Sequence, residues 1–109
     1  MSEAIVVLVT VGAAAEGERI AEALVSERLA ACVNLIGPMR SIYRWQGAVQ
    51  RDEELLLVIK SRATLFGALE ARVRALHSYE TPEIIALAIS AGSAAYLEWL
   101  SGATRPAPS

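Results

Sequence analysis

Apolar residues in this chain follow two rhythms, short unbroken runs and stretches where they return about once per helical turn. The first run is Ala4 to Thr10, apolar and β-branched through Ile5, Val6, Val7, Leu8 and Val9. A run so short suits a strand buried on both faces, and Gly12 breaks it. From Glu16 to Ala30 the rhythm is helical: Ile20, Ala21, Leu24, Val25 and Leu29 form one stripe, with Glu18, Arg19, Glu22, Ser26 and Glu27 elsewhere. The longest feature runs from Leu29 to Lys60. Small apolar residues lead to a Gly37-Pro38 break and to Ser41-Ile42-Tyr43-Arg44-Trp45-Gln46-Gly47, and the chain returns through Glu53-Glu54 into Leu55 to Lys60. This reads as a long β-hairpin turning near Gln46-Gly47.

Thr64 is placed to cap a second helix, in which Leu65, Leu69, Val73 and Leu76 recur opposite Glu70, Arg72 and Arg74. That helix should end near His77, where Ser78 and Thr81-Pro82 disfavour continuation. Glu83 to Ser90 is another strand apolar on both faces. Ser93 then caps a short helix whose apolar side is Tyr96, Leu97 and Leu100. Residues 1–102 form one domain, and 103–109 have the composition of a disordered tail.

The order β-α-β-β-α-β plus a terminal helix predicts an α+β fold: a ferredoxin-like antiparallel sheet with an extended β2-β3 hairpin and two helices on one face. Two helices leave the other face bare, yet three strands are apolar on both sides. Exposed apolar area costs about 25 cal/mol per Å², so an obligate oligomer with its sheets packed together is expected.

Composition sharpens that picture. The chain has 109 residues, of which 54% are hydrophobic and only 6% aromatic, so the apolar excess is aliphatic. A net charge of -2 and a pI near 5.4 argue against nucleic-acid binding. An RNA-recognition domain shares the element order but needs stacking aromatics on its central strands, and these are aliphatic. One cysteine rules out an intrachain disulfide framework and suits a reducing compartment. No Lys or Arg precedes the first apolar run, and no run approaches the roughly 20 residues of a membrane span. The protein reads as cytoplasmic, with no membrane association.

Candidate chemistry is sparse. Cys32 reads as a small buried apolar residue, with no cation beside it to stabilise a thiolate. His77 lies near Glu80 and Glu83, a set that could hold a metal, or it could answer the helix dipole. Tyr43, Trp45, Tyr79, Tyr96 and Trp99 suit either a pocket, with polar groups such as Lys60 and Glu53, or subunit contacts. Trp45 and Trp99 are assigned to contacts, and Tyr43 and Tyr79 remain open. No phosphate loop, Gly-x-Ser-x-Gly or HExxH is present, Asp52 reads as part of a solvated strand end, and no enzyme class emerges.

Several motifs resemble the CutA divalent-cation tolerance family: Ala30-Ala31-Cys32-Val33-Asn34, the aromatic stretch 41–47, Glu54 to Ser61, His77 to Ile84, and Tyr96-Leu97-Glu98-Trp99-Leu100. The resemblance runs from about Ile5 to Leu100. It implies a ferredoxin-like homotrimer in which long hairpins extend the sheets between subunits, related in design to PII signalling trimers, and an association with divalent metal, chiefly copper. Copper ligands proposed for enterobacterial members fall at Val9 and at Leu76-His77, so only His77 is retained, and Ser78 stands where the family usually has proline. The leading expectation is a non-enzymatic trimer that binds metal weakly through His77, Glu80 and Glu83. The alternatives are a PII-like sensor with a cleft at Tyr43, Lys60 and Tyr79, and a structural trimer that anchors other proteins.

Overall fold

In the computed structural model, which describes residues 3–106, four antiparallel strands lie in the order β2-β3-β1-β4. The elements are β1 (Ala4–Val11), α1 (Ala14–Ser26), β2 (Cys32–Trp45), β3 (Ala48–Arg62), α2 (Phe66–Leu76, entered by a 3-10 turn at Ala63–Leu65), β4 (Ile84–Ala88) and α3 (Ala94–Ala103). This is the expected ferredoxin-like arrangement. Alternation along β1 divides the sheet. Ile5, Val7, Val9 and Val11 join Leu57 and Ile59 of β3 against Ile20, Leu24, Leu69 and Val73 of the two helices. The opposite face, here called the open face, carries Val6, Leu8 and Thr10, paired with Lys60, Val58 and Leu56.

The third helix changes the expected picture of the open face. It packs on one end, where Leu100 joins Ala4 and Ala31 in a small second core with Leu97 and Ile89. The remainder stays uncovered, and Ile36, Ile85 and Leu87 are about half exposed there. β4, expected over Glu83 to Ser90 as a strand apolar on both faces, is a shorter edge strand, and most of its residues are exposed.

Three local expectations are corrected. Helix α1 stops at Ser26 rather than Ala30, because Arg28 takes a left-handed conformation (φ 59°) and the amides of Leu29 and Ala30 fold back onto the Leu24 carbonyl. Thr64 caps nothing; its hydroxyl donates instead to Glu3 at 2.9 Å. The tail is ordered further than expected. Ala103 ends α3, Thr104 is buried, the Arg105 amide donates to the Arg28 carbonyl, and the Arg28 guanidinium donates to the Gly102 carbonyl at 2.7 Å. Positions 107–109 lie outside the described residues. Ser93 caps α3 as expected, accepting from the Tyr96 amide.

The hairpin projects beyond this body and gives the chain its 43 × 26 × 23 Å extents. Its tip is the two-residue turn Gln46-Gly47, both at positive φ as a type I′ turn requires. Midway, between the pairs Ile36↔Leu56 and Met39↔Glu54, β2 carries one residue more than β3. This β-bulge holds Gly37 and Pro38 opposite Leu55. Gly37 has φ 144°, and a β-carbon there would sit 3.1 Å from the Glu54 carbonyl oxygen and 3.2 Å from the Leu55 Cα. Gly37→Ala should therefore destabilise the fold by about 1–3 kcal/mol, read as a lower denaturant midpoint at unchanged slope.

Candidate functional site

The bulge changes the chemistry of the open face. Below it, β2 sends even-numbered residues to that face, with Cys32, Asn34 and Ile36 opposite Lys60, Val58 and Leu56. Above it the parity of β2 flips, while that of β3 does not. Met39, Ser41, Tyr43 and Trp45 now share the face with Glu54, Asp52, Gln50 and Ala48. An aliphatic surface gives way to an acidic and aromatic one.

The second wall of the site is the segment after α2, and His77 fixes it. The His77 side chain is fully buried. Its Nε2–H donates to the Thr10 carbonyl (2.7 Å), while Nδ1 accepts from the Tyr79 amide (3.0 Å). These roles define a neutral imidazole with a fixed tautomer. Glu16 of α1 accepts from the Ser78 amide at 2.6 Å and lies 3.6 Å from Nδ1. Tyr79 packs on His77 with ring centroids 4.6 Å apart, and its hydroxyl donates to Glu54 at 2.8 Å. Gly12 makes room for it: a β-carbon there would lie 3.0 Å from the Tyr79 oxygen.

A cleft of about 590 Å³ lies between the two walls. The hairpin supplies Tyr43, Trp45, Asp52 and Glu54, the segment 79–83 supplies Tyr79, Glu80 and Glu83, and Thr10, Ser41, Ile42 and Thr81 complete the lining. Tyr43 donates to Asp52, and that bond raises the pKa of its phenol. The Tyr79 phenol is raised much further, first by burial and then by its bond to Glu54. Both therefore stand as neutral donors already committed to carboxylates.

The structure brings some of the expected residues together and separates others. Tyr43 and Tyr79 line one cleft, but Lys60 does not share it. Lys60 lies six residues along β3 from Glu54, about 20 Å of strand, and bonds Asn34 at the α3 end of the open face. Glu53, also expected in a pocket, pairs in register with Arg40 on the other face, and Glu54 takes the place instead. Asp52 is likewise part of the cleft rather than only a solvated strand end. Trp45 lines the cleft near the hairpin tip, whereas Trp99 sits on α3 with Tyr96, ring centroids 5.4 Å apart. Cys32 is only partly buried, and its Sγ lies 3.6 Å from the Tyr96 hydroxyl. That contact is the leading cause of a raised Tyr96 pKa.

Comparison with known proteins places this geometry. The family model described as "CutA1 divalent ion tolerance protein" matches residues 5–103. The chain belongs to the CutA divalent-ion tolerance family. A divalent-cation tolerance protein CutA of Thermus thermophilus is 54% identical over 95 residues, covering 87% of this chain and 92% of that protein. A chloroplastic CutA 1 of Oryza sativa is 50% identical over 101 residues, covering 93% of this chain. The chain spans only 57% of that rice protein's length, and 49% of mouse CutA. Among solved structures, the Thermus thermophilus protein matches with TM-score 0.92 at 51% identity, covering 94% of this chain and 99% of that one. CutA1 from Oryza sativa matches with TM-score 0.92 at 49% identity, covering 95% of each chain. The Thermus thermophilus protein is named for tolerance to a divalent cation, the rice protein is named as chloroplastic, and a solved CutA from Archaeoglobus fulgidus is named as periplasmic. No helix among the described residues is long and apolar enough to cross a membrane.

The metal expectation can be tested against this CutA chain's own side chains. Among the described residues, no group of three His, Cys, Asp or Glu side chains is arranged to hold a metal ion. His77 has both nitrogens engaged and stands behind the cleft, while Glu80 and Glu83 line it. The trio does not fit a site within one chain. Val9, at the family's cysteine position, is fully buried in the helix-side core.

Two outcomes follow from the bonds around Tyr79. His77→Ala removes the acceptor of the Tyr79 amide and the donor to Thr10, and should cost about 1–3 kcal/mol. Hydrogen exchange at the Tyr79 amide, followed by NMR, should accelerate strongly. Tyr79→Phe should cost about 1 kcal/mol at pH 8. Because folding raises the Tyr79 pKa, the wild-type advantage is complete below the unfolded-state value of about 10 and is lost as pH rises from there toward the folded-state value. Denaturant midpoints of wild type and Tyr79→Phe should therefore converge above that pH.

Proposed function

We propose that this CutA chain works as a cytoplasmic homotrimer that takes part in the response to divalent cations, copper among them, without catalysing a reaction. The observation that carries the assembly is the open face. Val6, Leu8, Leu56 and Val58 lie there outside the cover of α1 and α2, with Ile36, Ile85 and Leu87 half exposed around them. Packing copies of this face together removes it from water, and closed cyclic symmetry does so without leaving an open-ended chain of subunits. Three copies is the number that the family's likeness to PII trimers implies. A free thiol at Cys32 agrees with a reducing setting.

The metal reading rests on Glu80 and Glu83, whose carboxylates line the cleft and have no ion pair among the described residues. With the imidazole of His77 committed to the backbone, binding by these oxygens is weak within one chain and is completed at subunit boundaries. His77 contributes by holding the segment in place. A second reading, a PII-like small-ligand sensor, is favoured by the cleft itself, whose 590 Å³ is the size of a small-molecule site.

Native mass spectrometry at low concentration should show a trimer, and a folded monomer would overturn the assembly. Calorimetric titration with copper and with zinc should give heat that Glu80→Gln/Glu83→Gln reduces at least about tenfold. Unchanged heat in that variant would place the metal elsewhere.

A further inference from the structure

We propose that the cleft between the hairpin arm and the segment 79–83 binds a short aliphatic amine, and binds it best with an ammonium group at each end. This rests on and deepens the small-ligand reading of the cleft, and it draws on Glu80 and Glu83, which the metal reading also uses.

The first observation is the sign of the charge. Asp52, Glu54, Glu80 and Glu83 line the cleft, and no Lys, Arg or His is among the lining residues. Two acids outside the cleft are ion-paired with arginine, Glu3 with Arg62 and Glu27 with Arg72, and no such partner stands in the cleft. The arm does carry cations, but Arg40, Arg44 and Arg51 fall by register on its other face, opposite or beside Glu53, Ile42 and Val49. The bulge thus keeps the arginines of this two-stranded ribbon off its cleft face. A carboxylate or phosphate ligand would meet four negative charges in the cleft and no cationic partner.

The second observation is the supply of acceptors. The hydroxyls of Tyr43 and Tyr79 are spent on Asp52 Oδ2 and Glu54 Oε2. The other oxygen of each carboxylate has no hydrogen bond among the described residues, and neither do the carboxylates of Glu80 and Glu83. What the cleft offers is acceptors, and a primary ammonium is all donor.

Size and walls complete the argument. No three of these groups are arranged to hold a metal ion, and a 590 Å³ space is far larger than one ion needs. Its walls are Tyr43, Trp45 and Tyr79, whose ring faces attract a cation and whose carbon surface suits a methylene chain. Carboxylates stand on both walls, Asp52 and Glu54 on the hairpin and Glu80 and Glu83 opposite, which favours a ligand charged at both ends.

The test uses the full chain carrying Trp99→Phe, which leaves Trp45 as its sole indole. Titration with 1,4-diaminobutane at low ionic strength should change the Trp45 emission saturably, with matching heat by calorimetry. Butylamine should bind more weakly, and butanedioate, of the same chain length with opposite charge, should give no response. Asp52→Asn and Glu83→Gln, both at exposed positions, should each weaken the diamine about tenfold or more. Saturable binding of butanedioate, or diamine binding unchanged in both variants, would overturn the ammonium class while leaving a ligand cleft standing. No response to either compound, as when a neighbouring copy fills the cleft, would overturn the ligand reading of the cleft as well.

Discussion

Two helices can cover one face of a four-stranded sheet, and everything else in this molecule is arranged around the face they leave. β1 and β3 occupy the centre of the order β2-β3-β1-β4 and are apolar on both sides. On the covered side this gives a dry core of Val7, Val9, Leu57 and Ile59 against Ile20, Leu24, Leu69 and Val73. On the other side α3 closes only the end near Ala4. Apolar residues on that side, Ile36, Ile85 and Leu87 among them, are left about half exposed, and exposed apolar area is unfavourable in water.

The hairpin then has two jobs along its length, separated by one extra residue. Below the bulge its open-face side chains continue the aliphatic surface. Above it, the flipped parity of β2 brings Tyr43 and Trp45 alongside Asp52 and Glu54. Without that residue Arg40, Ile42 and Arg44 would have shared the face with those acids. The conformation at Gly37 is thus tied to the charge of a cleft that it does not line.

Most of the fold could be read in the sequence, because each element carries a periodicity set by its own burial. Ile5 to Val9 and Leu55 to Ile59 announce central strands, and the stripe from Ile20 to Leu29 announces a helix. The third helix's place on the open face was not legible, since Tyr96, Leu97 and Leu100 state that a face is apolar without stating what it covers. The site was legible only in part. Tyr43 and Tyr79 do meet, but choosing Glu53 over Glu54 depends on register, which strand alternation fixes only relative to a partner. Gly37-Pro38 marked a break and could not show that parity changes across it. His77 looked like a ligand because its neighbours are acids. Its bonds to the Thr10 carbonyl and the Tyr79 amide involve backbone groups, which no sequence pattern displays.

Those bonds also explain why the two walls of the cleft differ in character. Through His77 and Glu16, the segment 78–79 is tied to the end of β1 and to α1, so this wall belongs to the packed body. The hairpin wall extends past that body, and Tyr79 to Glu54 is the one side-chain hydrogen bond joining the two walls among the described residues. The arm is also the part that contact between copies would hold. Anything that fixes the arm lowers the entropic cost of ordering Asp52 and the ring of Trp45 around a ligand. A ligand bridging both walls would in turn hold the arm against the packed body. If copies pack through the arm as proposed, such coupling would be reciprocal by thermodynamic necessity, and occupancy of the cleft and strength of assembly would both report the position of the arm.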